Sequence, residues 1–325
     1  MRRADTRIAV FLLITLLLPG ASSAQTKPAP AAPPATTKPA TAKPPAKPAP
    51  SKPATAKRAT AKRATAKPAA AKPVPIEIPA KPAPLTREQM RDFLLTAEVV
   101  SFKEIGKGVT KPKRLTMTKN GVTHDAAFQS VDDRKLTHKV GSVTELNFVD
   151  AYRYNLAAYA VAGLLRLDHM MPVHVERKWD GQTGSLSWWA DVLMDEGERQ
   201  TKKVAPPNST SWNDQMFRMR VFAALIRDTD RNQGNILITP DWKVMMIDFT
   251  RAFRLQTDLV NPMALLRVDK ALLGRMAALT DASIKAAVGK HLTDDEIESV
   301  IERRDKLAAH FQDLVAKRGE KAVLY

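Results

Sequence analysis

The chain contains no cysteine, which excludes disulfides, thiolate zinc sites and cysteine nucleophiles together. Its N-terminal apolar run, Ile8 to Leu18, is about half of the ~20 residues that a membrane-spanning helix requires. The six histidines, at 124, 138, 169, 174, 291 and 310, show no His-x-x-x-His or comparable ligand spacing, so none is assigned to a metal. Acidic residues are nearly missing from the first 84 positions, which hold one Asp and one Glu. Aromatics are missing from residues 26–84 altogether, so no base-stacking platform interleaves with the basic residues there.

What is present is unevenly distributed. The chain has 325 residues and a formal net charge of +17. Residues 26–84 carry twelve Lys and Arg against one Glu, whereas residues 85–325 carry 36 basic and 32 acidic residues, a net +4. The start, "MRRADTRIAVFLLITLLLPGASSAQ", joins a basic n-region (Arg2, Arg3, Arg7) to the apolar run, a Pro19-Gly20 breaker and small residues at Ser22 and Ala24. That layout predicts a secretory signal over 1–24, cleaved after Ala24, and a periplasmic or secreted mature protein. Residues 25–84 are an Ala/Pro/Lys/Thr segment with the repeat "ATAKRATAKRATAKPAAAKP" and no periodic apolar face, which predicts disordered, extended chain. Fully extended, it would reach roughly 180 Å. It reads as a spacer, or as an arm for an anionic envelope polymer or membrane surface. Export argues against nucleic acid as its partner.

Residues 85–325 suffice for one two-lobed domain. "AEVVSFKEI", "KRLTM" and "HDAAFQSV" read as strands, "ELNFVDAYRYNLAAYAVAGLLRL" as one long helix with Leu146, Val149, Tyr152, Leu156 and Tyr159 on a shared stripe, and "MPVHVER" with "SLSWWADVL" as a hairpin. From Ser211 the pattern turns helical, through "SWNDQMFRMRVFAALIRD" to "LTDDEIESVIERRDKLAAHFQDLVAKRG", in which Thr293 and Glu296 form a capping box and Gly319 is a stop. An α+β architecture follows, with a β-rich N-lobe over about 94–195 and a helical C-lobe over about 211–325.

Early in the C-lobe lies "RDTDRNQGNILITPDWKVMMIDFTR". Asp230, Asn235 and Asp248 stand at offsets of 5 and 13, on either side of two apolar strands joined by Pro240-Asp241. Phosphoryl transfer needs such a set: a carboxylate facing the acceptor hydroxyl, and an amide and second carboxylate holding the metal that bridges the phosphates. The kinase pattern H-R-D-x-x-x-x-N with D-F-G has the same offsets and here reads "TDRNQGN" and "DFT". Two other readings stay open. A polar turn capped by Asp and Asn accounts for the first cluster alone. A calcium loop opening at Asp228, Asp230 and Asn232 lacks the expected Gly and Glu, having Gln233 and Thr239.

"LIRDTDRNQGNILI" with "MMIDFTRAF" resembles the catalytic segment of the phosphatidylinositol 3- and 4-kinase group, especially the type II phosphatidylinositol 4-kinases, and more loosely the secreted protein kinases of animals. "AAYAVAGLLRLDHMMPVHVER" resembles the helix and strand of that type II group, and "IGKGVT" takes the glycine-loop position. The resemblance covers about residues 94–255. It implies a bilobal protein-kinase-like fold, in a bacterial exported member of the group, without implying a lipid substrate. By position it makes Asp230 the catalytic base or orienter, Asn235 and Asp248 the metal ligands, and Gly106 and Gly108 the phosphate-covering turn; Arg231 steadies the loop or meets a phosphate. ATP or another nucleotide with Mg or Mn would be the cofactors, and the phosphate acceptor is unknown.

Two departures stand out. "AAFQ" places Gln129 at the phosphate-gripping lysine, and "YNLAAY" places Asn155 at the glutamate that pairs with it. The coordinated change leaves no orphaned charge, but an amide supplies no cation for developing phosphate charge, worth several kcal/mol in such sites. Lys107, Lys111, Lys113 or Arg114 are the candidate substitutes for the lysine, and Glu145 and Asp150 for the carboxylate. The readings are therefore an exported kinase-like phosphotransferase, or a catalytically weak pseudokinase acting as an envelope binding module.

Overall fold

The computed structural model describes residues 85–106, 112–140 and 143–325. The signal expected over 1–24, the segment 25–84, and Lys107, Gly108 and Lys111 of the glycine turn lie outside the described residues. No helix among the described residues is long and apolar enough to cross a membrane.

The described chain opens with α1 (Arg87–Thr96), a helix that the strand-rich expectation for this region passes over. Its signal is a capping box: the Thr86 hydroxyl accepts from Gln89 N–H at 3.2 Å, and the Gln89 side chain accepts from Thr86 N–H at 2.8 Å. β1 (Glu98–Glu104), β2 (Lys113–Lys119) and β3 (Val122–Gln129) follow as an antiparallel meander. β4 (Asp132–Val140) and β5 (Val143–Ala151) form a separate hairpin, and α2 (Arg153–Leu164) leads to β6 (His174–Trp179) and β7 (Gln182–Trp188). The last two rejoin the first sheet in the order β1-β2-β3-β7-β6. Alternation decides its faces: Leu115, Met117, Ala126 and Phe128 turn inward, onto Val173, Val175, Leu186 and the α1 residues Phe93 and Leu94.

The second half adds β8 (Met194–Asp195), α3 (Glu196–Thr201), α4 (Ser209–Leu225), β9 (Ile236–Ile238), β10 (Val244–Met246), α5 (Lys270–Ala277), α6 (Asp281–Val288), α7 (Asp294–Arg318) and α8 (Glu320–Val323). α2, α4 and α7 enclose the larger core around Val161, Phe222, Phe249, Val300, Leu307 and Phe311. The fold is α+β, a sheet-rich N-terminal part followed by a helical part.

One expected element is corrected. The long helix from Glu145 instead begins at Arg153, and "VTELNFVDA" before it is strand β5. Leu146, counted on the helical stripe, is 63% exposed. Alternation won over the 3.6-residue period: Phe148 buries its ring and pairs across the hairpin with Lys135, and Asn147 at φ +52° interrupts any helix.

The capping box of Thr293 and Glu296 is present, and Gly319 ends α7 at φ +81°. Glu296 has a second task, accepting from the Tyr154 hydroxyl of α2. Arg303, on α7, is fully buried and makes no salt bridge among the described residues; it donates to the carbonyls of Leu225 at 2.7 Å, Arg254 at 2.7 Å and Gln256 at 3.0 Å. Burial pulls its pKa down to about 9, so it keeps its proton at neutral pH. Arg303 thereby ties the end of α4 to the segment that follows β10. Arg303→Met, which orphans three carbonyls, is expected to cost about 2–4 kcal/mol in urea unfolding.

His174 is buried on β6, its Nδ1 donating to the Pro172 carbonyl at 2.8 Å, and burial lowers its pKa to about 4. The unfolded chain takes up this proton near pH ~6.5 and the native protein only near 4, so this group's contribution is present above ~6.5 and is lost as pH falls toward 4. His174→Gln is expected to reduce the loss of stability between pH 7 and pH 5 by about 2 kcal/mol, measured as the change in urea midpoint.

Candidate active site

The loop after α4 is built around a buried ion pair. Arg227, at φ +49°, turns the chain out of the helix, and Asp228 N–H closes on the Ala223 carbonyl at 2.9 Å. The Asp228 side chain is fully buried; it accepts from the N–H of Asp230 at 3.0 Å and from Arg231, whose Nε lies 2.8 Å away. The rest of the Arg231 fork donates to the carbonyls of Asn235 at 2.8 Å, Ile247 at 2.6 Å and Asp248 at 3.2 Å. Its guanidinium stands 4.2 Å from the centre of the Phe249 ring. One side chain therefore fastens the loop to the end of β10.

The β9–β10 hairpin completes the convergence. Ile236 pairs with Met246, and Ile247 N–H donates to the Asn235 carbonyl at 3.2 Å, so residues well apart in sequence become neighbours. Asn235 Nδ2 donates to the Asp230 carbonyl at 3.0 Å, leaving its Oδ1 with no hydrogen bond among the described residues. Asp248 is held at φ +56° by the packing of Phe249, which is fully buried and edge-on to Phe222 of α4 at 5.9 Å. Asp230, 39% exposed at the loop mouth, accepts from Asn232 Nδ2 at 3.0 Å. Asp228 is engaged by Arg231, so the Asp228, Asp230 and Asn232 side chains do not point together as a calcium loop requires.

Gln129 and Asn155 form a continuous amide chain to this cluster. Asn155 Nδ2 donates to Gln129 Oε1 at 2.6 Å and to Ser185 Oγ at 3.1 Å, and its Oδ1 accepts the Phe249 N–H at 2.7 Å. Gln129 Nε2 then donates to Asp248 Oδ1 at 3.3 Å. The positions where the resemblance expects an ion pair thus connect β3, α2 and the Asp248 strand with neutral groups.

The structure does not bring Arg114 to Asp248. Its guanidinium pairs with Asp125, Nε to Oδ2 at 2.5 Å, and lies 4.2 Å from the Trp189 ring centre. Asp125 is four residues along β3 from Gln129, on the order of 13 Å. Gly106 forms the bend that follows β1, where Ile105 N–H donates to the Pro112 carbonyl at 2.8 Å. Of the two candidate carboxylates, Glu145 is taken by Arg251 at 2.7 Å and Arg254 at 2.6 Å. Asp150 instead faces the site. Burial raises its pKa, and the charges of Asp248 and Asp230 add to the effect, while Thr250 and Arg251 oppose it.

Two participants have no distinct sequence signal. The Thr250 hydroxyl donates to Asp248 Oδ1 at 3.0 Å, and Arg251 Nη1 lies 4.0 Å from Asp230 Oδ2. Thr250 stands where the kinase D-F-G pattern carries glycine, which is the one hint available.

No family model and no curated protein sequence matches the chain. Solved structures do. A Fam20 protein from hydra, solved with a sugar, superposes with a TM-score of 0.54 at 10% identity, over 74% of this chain and 92% of that one. The Golgi casein kinase with Mn and ADP bound gives a TM-score of 0.53 at 10% identity, over 73% and 78% of the two chains. The fold is kinase-like.

Arg231→Lys, which replaces the fork by a single ammonium and leaves Asp228 buried, is expected to destabilise the protein by about 2–3 kcal/mol in urea. Protection of the Ile247 amide in hydrogen exchange should fall with it.

Proposed function

We propose that this chain is a kinase-like phosphotransferase that uses a nucleotide and a divalent metal, Mg or Mn. The observation that carries the reading is the juxtaposition of Asp230, Asn235 and Asp248, Arg231 fastening the Asn235 and Asp248 backbones together and Asn235 Nδ2 donating to the Asp230 carbonyl at 3.0 Å. The residues fit a cation: a buried, unpartnered oxygen of Asp150, the open Asn235 Oδ1 and the Asp248 carboxylate are hard oxygen donors. Asn235 and Asp248 would hold it. When bound, such an ion offsets the charge of the donor's phosphates.

The remaining work falls to the protein. Asp230, oriented by Asn232 and open to solvent, would accept the proton of an acceptor hydroxyl or align that hydroxyl for attack. Gln129 holds Asp248 in place through its amide rather than gripping phosphate. The Mn and ADP bound in the Golgi casein kinase support the choice of ligands for a shared fold. The motif wording supports a finer kinship with the type II phosphatidylinositol 4-kinases, although the acceptor class, whether protein, lipid or small molecule, does not follow from it. We read the mature protein as exported. ATP is scarce outside the bacterial cytoplasm, so an exported enzyme there needs an unusual donor or a special niche.

A second reading rests on the neutral Gln129–Asn155 chain: a pseudokinase that keeps the fold as an envelope binding module, with residues 25–84 reaching an anionic polymer or membrane surface. Thermal unfolding of the full chain with ATP and Mg or Mn separates the two. At ~100 times the dissociation constant a ligand stabilises by roughly 2.7 kcal/mol. The phosphotransferase reading expects a metal-dependent rise in Tm that Asp248→Ala abolishes and Asp230→Ala retains, with slow nucleotide hydrolysis lost in both variants. No shift with either metal would favour the pseudokinase.

A further inference from the structure

Asp150 is the last residue but one of β5, two positions beyond Phe148 and therefore on the same, inward face of the strand. The next residue is locked to the Asp248 segment, Ala151 N–H donating to the Thr250 carbonyl at 2.8 Å. The hairpin thus delivers a carboxylate to the site from a direction that neither the loop nor β10 supplies. Asp150 Oδ1 is buried and has no hydrogen-bond partner among the described residues.

The hydrogen bonds of the neighbouring donors run mostly to other groups, Arg251 Nε alone being without a partner among the described residues. The Thr250 hydroxyl donates to Asp248 Oδ1 at 3.0 Å and also lies close enough to Asp150 to favour its charged form, while Asp150 Oδ1 keeps no hydrogen-bond partner among the described residues. Arg251 gives Nη2 to Glu145 at 2.7 Å and sets Nη1 4.0 Å from Asp230. Gln129 Nε2 is directed to Asp248. An unpartnered buried carboxylate oxygen is costly, and Thr250 and Arg251 offset only part of the burial of Asp150. A divalent cation relieves it directly, because oxygen donors in such sites need charge rather than hydrogen.

We propose that Asp150 is a third oxygen donor to the divalent cation held by Asp248 and Asn235. The proposal rests on the metal-dependent reading above and deepens it. It also accounts for the loss of the lysine. With Gln129 neutral, metal would carry more of the offset to phosphate charge at this site, and an additional carboxylate raises the hold on that metal. The site would then depend on metal more steeply than one in which a lysine shares the load.

The test is Mn2+ binding to the full chain, with and without ADP, read from the paramagnetic resonance signal of free Mn2+. Wild type is compared with Asp150→Asn, Asp150→Ser and Asp248→Asn, and Tm is recorded without metal for each. The expected result is a rise of about tenfold or more in the Mn2+ dissociation constant for both Asp150 variants, with an apo Tm equal to or above that of wild type because carboxylate crowding is relieved. Mn2+ affinity within twofold of wild type in Asp150→Asn and Asp150→Ser, with binding lost in Asp248→Asn, would overturn the role of Asp150 and leave the metal site standing. An apo Tm lowered in both Asp150 variants, with Mn2+ affinity unchanged in the folded fraction, would make Asp150 a packing residue and overturn it as well. Wild type that binds no Mn2+ under either condition would remove the metal site and this proposal together.

Discussion

The arrangement of the site depends on the pairing of Asp228 with Arg231. An ion pair this deeply buried is a weak source of net stability, since desolvation offsets much of the attraction. Its value here is geometric. Asp228 fixes the guanidinium from one side, and the remaining N–H groups reach three carbonyls on two different segments. A planar fork with fixed donor directions does this where a lysine does not. The Asn235 and Asp248 backbones are thereby tied together through one anchored side chain. The Phe249–Phe222 contact secures the same strand from beneath.

The charge pattern sets this site apart from the family pattern. Where an ion pair is expected, Gln129 and Asn155 join Ser185, Phe249 and Asp248 in a satisfied hydrogen-bonded chain. Loss of one member alone would have stranded a charge in a buried position, which costs far more than changing both. Asn155 is wholly buried and uses both ends of its amide, so its role in joining α2 to the Asp248 strand is structural as well as positional. The charges around Asp248 are then mostly those of carboxylates, with Arg251 shared between Glu145 and the neighbourhood of Asp230.

Strong local signals were legible in the sequence. The Thr293 capping box, the Gly319 stop, the β9–β10 pair and the offsets among Asp230, Asn235 and Asp248 each depend on residues close along the chain. The Gln129–Asn155 contact was legible only through the family pattern, because its partners come from separate elements. The helix wrongly extended back to Glu145 shows the opposite case. "ELNFVDAY" satisfies a helical stripe on paper, but Phe148 gains more by burial against the hairpin and the arginines behind it. The capping box at Thr86 and Gln89 was as clear as the one at Thr293, but no long apolar stripe followed to draw notice to it.

The hairpin β4–β5 connects these observations. By ending the strand at Ala151 instead of letting a helix run through, it places Glu145, Phe148 and Asp150 along one edge of the segment that follows Asp248. Glu145 holds Arg251 and Arg254, Phe148 lies beneath both guanidinium groups, and Asp150 is near enough to Asp248 and Asp230 for their charges to act on it. Arg303 meets the same segment from α7 through the carbonyls of Arg254 and Gln256. The residues after Asp248 are therefore gripped by a hairpin on one side and a helix on the other. A segment restrained twice in this way cannot reposition Asp248 without breaking hydrogen bonds on both sides, so its placement is set by the fold.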